Sequence, residues 1–181
     1  MKRLALLLSV GLLAGCGGAG TPKTATTTPA TPGPAAAMAG LIRSDPALAG
    51  TVKVLFVSSG WSLVQSISPT SAVAIPFHLV GGRWRADRVK GVEISILGPN
   101  PGQHVAPIPQ VAMEITARAP FVESALWVDG VMLEAKGGGS PTNGTIYGAP
   151  TRALAKGSHV AVGYARTATR AGAVAWRFVV S

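Results

Sequence analysis

From residue 41 onward, apolar residues recur at every second position in short runs broken by Gly, Pro, Asn and Asp. A period of two predicts strands, and turns this closely spaced leave no room for the helices of parallel-sheet units. Thr51–Ser58 is the first run, with Val52, Val54, Phe56 and Ser58 expected on one face. Trp61–Ile67 is the second, grouping Trp61, Leu63, Gln65 and Ile67, and Ser71–Val80 is the third. Gly81-Gly82 then signals a tight turn into Arg83-Trp84-Arg85. These runs predict a small antiparallel meander over 41–91, with Asp45-Pro46 marking a turn or a short helix start.

The remainder, 92–181, predicts about seven further strands, a number that suits an immunoglobulin-like sandwich. Val92–Leu97 is closed by a Pro- and Gly-rich loop, and Val111, Met113, Ile115 and Ala117 alternate with more polar neighbours. Phe121–Val128 and Val131–Ala135 flank Asp129-Gly130, among the best short hairpin signals. Gly137-Gly138-Gly139 and Asn143-Gly144 are expected to bound a mobile loop. Val160, Val162 and Tyr164 share one side of a later strand, and Trp176, Phe178 and Val180 share one side of the last.

Three motifs in this half resemble bacterial immunoglobulin-like domains: Leu154-Ala155-Lys156-Gly157-Ser158-His159, Trp176-Arg177-Phe178-Val179-Val180 and Leu126-Trp127-Val128-Asp129-Gly130. The immunoglobulin-like domain of some spore germination proteins is a more distant relative in pattern. The resemblance covers about half of the chain and is structural, implying no catalytic residue. It departs at Ala168-Thr169-Arg170-Ala171-Gly172, where many relatives carry Asp and Gly-Asn, so no calcium site is suggested.

The first forty residues follow different rules. Lys2 and Arg3 precede an apolar stretch, Leu4–Leu12, too short to span a bilayer of ~30 Å. It has the form of a secretory signal over 1–15. Leu13-Ala14-Gly15-Cys16 resembles the bacterial lipobox, which implies cleavage after Gly15, a glyceride on the Cys16 thiol and palmitate-type acylation. Two or more acyl chains give stable anchoring, each buried methylene contributing ~0.8 kcal/mol. Residues 16–40 are Gly, Ala, Thr and Pro with the single charge Lys23, a composition without a core-forming face. That stretch reads as a disordered tether, able to reach tens of Å at ~3.1 Å per residue in polyproline II. The expected location is therefore the extracytoplasmic face of the cell membrane.

Charge and chemistry narrow the function. The net charge of +9 over 181 residues falls to +7 once Lys2 and Arg3 leave with the signal. A basic surface favours anionic partners, and export points to an anionic cell-wall polymer or an envelope protein rather than nucleic acid. Arg83, Trp84, Arg85, Arg88 and Lys90 are the candidate binding residues, Trp84 as an exposed stacking platform at a strand start, with Lys53 a possible addition to the basic patch. The one cysteine rules out a disulfide within the chain. No nucleophile elbow, zinc-protease motif or phosphate-binding loop is present. His78, His104 and His159 fall in separate predicted elements, so neither a metal nor a cofactor is expected. The acids Asp45, Asp87, Glu93, Glu114, Glu123, Asp129 and Glu134 form no recognisable catalytic pair. The expectation is a non-enzymatic, lipid-anchored binding module of the cell envelope. A structural subunit docking another envelope protein is the alternative, and a hydrolase with dispersed acids is a third reading.

Overall fold

The computed structural model describes residues 32–181. Its first element is helix α1, Pro34–Ser44, followed by a 3-10 turn at Pro46–Leu48. The tether expected over 16–40 therefore gives way to helix at Pro34. Pro34 occupies the first helical turn, where its missing N–H costs nothing, and the Ala-rich run after it has high helix propensity. Met38, fully buried, and Leu48 give this segment the apolar side that its composition obscured.

Four strands form the meander in simple order: β1 Thr51–Ser58, β2 Trp61–Ile67, β3 Ala72–Val80 and β4 Arg83–Ala86. The β1–β2 register shifts between Val54 and Phe56. The one-face expectation for β1 is corrected by this irregularity, because an extra residue reverses the alternation beyond it. Val52 and Val54 pack toward α1, with Met38, Val64, Ile75 and Phe77. Leu55 and Phe56 pack on the opposite face with Trp61 and Leu63. Residues 61–66 of the inner strand β2 are all buried, since helix covers one face and the rest of the molecule the other.

The remaining nine strands are β5 Val92–Gly98, β6 His104–Val105, β7 Val111–Ala117, β8 Glu123–Val128, β9 Val131–Met132, β10 Lys136–Gly139, β11 Asn143–Gly148, β12 Gly157–Arg166 and β13 Ala171–Val180. They form two sheets, β10-β11-β7-β5 and β6-β13-β12-β8-β9. Lettered in chain order, with the two-residue strands β6 and β9 set aside as edge strands, these are D-E-B-A against G-F-C. This is the strand order of an immunoglobulin-like β-sandwich, and β6 runs parallel to β13 at its edge. Gly137–Gly139 ends β10 and Asn143-Gly144 opens β11, so the two flank a turn at 140–142 and pair across it from Lys136↔Tyr147 to Gly139↔Gly144.

The sandwich core holds Val111, Met113, Ile115, Leu126, Trp176 and Phe178. The sheet carrying β8, β12 and β13 is buried on both faces. Ala161, Ala165 and Val128 turn into the sandwich, whereas Trp127, Val160, Val162 and Tyr164 turn outward against the meander. Gly163 lies where a Cβ would run into the Met113 thioether, so the absent side chain admits Met113 between the sheets. The two segments together make one compact unit of three stacked sheets and a covering helix.

Aromatic and polar contacts lock this inter-sheet layer. Phe56 stacks on Trp127 at 5.9 Å and meets Tyr164 edge-on at 4.9 Å. The Arg177 guanidinium donates to the carbonyls of Ser68 and Ser71, tying the β2–β3 turn to β13. Tyr164 is fully buried and, among the described residues, its hydroxyl has no partner. Burial pushes its phenol well above its ordinary range, and the negative charge of Glu123 adds to that. Tyr164→Phe is therefore expected to stabilise the fold by about 1 kcal/mol, by removing a polar atom that is desolvated without return. Urea unfolding checks this; a clear loss of stability would show that the hydroxyl is bonded through water in solution.

Candidate anion-binding site

The crossing from meander to sandwich, residues 87–91, is where charge gathers. Asp87 fixes its path: its N–H donates to Pro76 O (2.8 Å), and its Oδ2 accepts the Ala171 N–H (2.9 Å). The carboxylate is 5% exposed, with Arg170 Nη1 3.8 Å from Oδ1. Holding Asp87 against the start of β13 leaves Arg88 and Lys90 on the wall of a cleft of about 350 Å³. Pro76 of β3 and the 171–174 stretch of β13 line its sides. Lys90 also borders a smaller cleft of about 180 Å³, together with Glu93 and Arg118.

Two cations reach this place from distant parts of the chain. Arg118, just past β7, donates its backbone N–H to Gly91 O at 3.5 Å. Arg170, in the β12–β13 turn, lays its stem over Gly91, where a Cβ would come within 2.9 Å of its Cγ. Arg88, Lys90, Arg118 and Arg170 thus surround one short segment, all exposed. Their acidic neighbours are poor competitors. Asp45 stands 3.9 Å from Arg88, both half-exposed, a geometry worth little in water. Asp87 has both oxygens engaged by protein groups.

The other candidate residues are placed differently. Arg83 and Arg85 are exposed on β4, and neither lines the clefts. Arg85 pairs across the sheet with His78, which stacks on Trp61 at 4.1 Å. Trp84 points to the other face and packs half-buried against the α1 cluster, so its ring is not a free stacking platform. Lys53 does not join the patch. It sits on β1, at the opposite edge of the meander from β4, and its Nζ donates to Gly130 O at 3.3 Å. Cys16 lies outside the described residues. Nothing in the sequence signalled Arg118 or Arg170, which are 28 and 80 positions beyond Lys90 and meet it only through the fold.

Among the described residues, no group of three or more His, Cys, Asp or Glu is placed to hold a metal ion. None of the described helices is long and apolar enough to cross a membrane. The arrangement can hold an anion by charge and by the guanidinium geometry that matches phosphate or carboxylate oxygens.

No protein-family model matches the chain, and no curated protein matches it. A solved structure of titin Ig tandem domains is similar at a TM-score of 0.34 and 6% identity, over 67% of this chain. The chain spans about 62% of the length of that structure. The immunoglobulin-like class rests on the strand order above.

Proposed function

We propose that this protein is a lipid-anchored, non-catalytic module of the cell envelope that binds an anionic envelope polymer. The observation that carries the reading is the gathering of Arg88, Lys90, Arg118 and Arg170 around 87–91, beside a cleft large enough for a phosphate or carboxylate group. Four exposed cations, of which Lys90 and Arg118 form no ion pair among the described residues, attract polyanions, and that attraction is screened by salt. The lipobox-like Leu13-Ala14-Gly15-Cys16 supports the anchor and the extracytoplasmic location. A second reading, docking on another envelope protein, is favoured by Val131 and Met132, which are 67% and 65% exposed on edge strand β9.

The test is co-sedimentation of the full chain, in detergent, with purified sacculi carrying their attached polymers, across a salt series. Binding is expected to fall steeply with salt. Changing Arg88, Lys90, Arg118 and Arg170 together to Gln should weaken it roughly tenfold or more at low salt, as expected for loss of a cationic patch. Changing Arg83 and Arg85 should matter less. Salt-independent binding, or binding untouched by the fourfold change, would sink the charge argument and favour the protein partner.

A further inference from the structure

A groove of about 540 Å³ lies on the far side of the sandwich from the basic clefts' crossing segment, between the β8–β9 hairpin and the loop that follows β11. Val131, Met132 and Leu133 form one wall, and Pro150, Ala153 and Leu154 belong to the other. One side chain joins the two walls. His159, at the start of β12 and 8% exposed, has Nδ1 2.6 Å from Asp129 Oδ2 in the hairpin turn. Its Nε2 is 2.7 Å from Ala155 O in the loop. The ring also stacks on Phe178, its cross-strand neighbour, at 5.7 Å.

Both partners are acceptors, a carboxylate and a carbonyl. Two short contacts to acceptors need two N–H donors, and imidazole carries both only when protonated. A neutral ring keeps one. The carboxylate is the stronger acceptor, so the remaining proton stays on Nδ1. The Nε2 lone pair would then face the Ala155 lone pairs at 2.7 Å, which is repulsive.

We propose that protonated His159 is a clamp that holds the two walls of this groove together, and that its deprotonation frees the loop wall. The device is independent of the anion reading, since the groove shares no residue with the basic clefts. Charged groups on the surrounding elements are Asp129 and Glu134 beside the hairpin, Arg152 and Lys156 on the loop, Arg177 on β13, and Lys53, bonded to Gly130 O. Among the described residues, Asp129 is the one of these that bonds the ring. Burial works against the imidazolium, but the Asp129 hydrogen bond, the Ala155 hydrogen bond and the Asp129 charge outweigh it and raise the His159 pKa above the usual 6.5. Away from Ala155 the loop is tied at Leu154, whose N–H donates to Pro107 O, and at Gly148, where β11 ends. Loosening therefore starts at 155–156 and passes to the adjacent Leu154–Pro107 bond.

The experiment follows the full chain in detergent micelles through the His159 titration by ring-nitrogen NMR and by amide exchange, expressed as protection factors. Protonation of both ring nitrogens is expected in the acid form. Protection of the Leu154 amide, which is bonded to Pro107 O beside the clamp, should fall at least fivefold as the ring loses its proton, while the β12–β13 ladder is unchanged. In His159→Gln, whose carboxamide does not titrate in this range, the step should vanish. Constant protection of the Leu154 amide through the titration, or an acid form with an unprotonated Nε2, overturns the clamp. The wild-type measurement decides the matter even if the variant does not fold.

Discussion

Trp127→Ala is expected to lower the stability of the whole fold by about 3–5 kcal/mol, the usual cost of emptying a large aromatic site. Trp127 is 3% exposed on β8, yet its ring points away from the sandwich core that Leu126 and Val128 enter. It packs instead with Trp61, Leu63 and Phe56, under the meander. The substitution therefore opens a cavity between sheets rather than inside the sandwich. Amide exchange should show the loss unevenly, with β1–β4 losing protection before β7 and β12. Urea unfolding with exchange readout measures both. A change below about 1 kcal/mol would mean that the meander and the sandwich are energetically separate, since an isolated sandwich leaves Trp127 on its surface.

Asp129→Ala is expected to cost about 2–4 kcal/mol. Three effects add at this residue. Its backbone is left-handed, with φ 50, where alanine is strained by ~1–2 kcal/mol and Asp or Asn is tolerated. Its Oδ1 accepts the buried Val160 N–H at 3.0 Å, and an orphaned buried donor costs ~1–3 kcal/mol. Its Oδ2 holds His159. Asp129→Asn keeps the turn and an acceptor for Val160 and should cost less than half as much. The two variants also separate in pH dependence. The folded His159 pKa is raised, so the native state binds a proton more tightly than the unfolded chain. That stabilisation is complete below the unfolded value near 6.5 and is lost as pH rises through the folded value. Asp129→Asn removes the carboxylate charge and should flatten this slope in urea unfolding from acid to mildly alkaline pH. A slope as steep as in the wild type would assign the proton linkage to another group.

The local alphabet of this fold was legible in the sequence. Val111, Met113 and Ile115, and again Trp176, Phe178 and Val180, alternate because their strands present one face to a single core, and the period of two records that directly. Asp129-Gly130 declared its hairpin because both residues need positive φ, 50 and 74, which few other pairs supply. Arg83 and Arg85 opposite Trp84 followed from the same alternation. Helix α1 was hidden because Pro34–Ser44 continues the Ala- and Pro-rich composition of the preceding stretch, with Met38 as its one fully buried anchor. The irregularity at Leu55 left no mark either, since Val54, Leu55 and Phe56 are apolar on both sides of the slip.

By itself, then, the sequence determined the all-β class, the turns and the order of alternating strands, because steric and hydrophobic preferences act between neighbours a few positions apart. Tertiary structure alone decided which core each face enters. Trp127 and Leu126 are equally apolar, and only the meander lying over β8 and β12 separates their fates. It also decided the candidate site. Arg118 and Arg170 meet Arg88 and Lys90 because β7 and the β12–β13 turn end beside Gly91, and such convergence depends on sheet packing rather than on spacing along the chain.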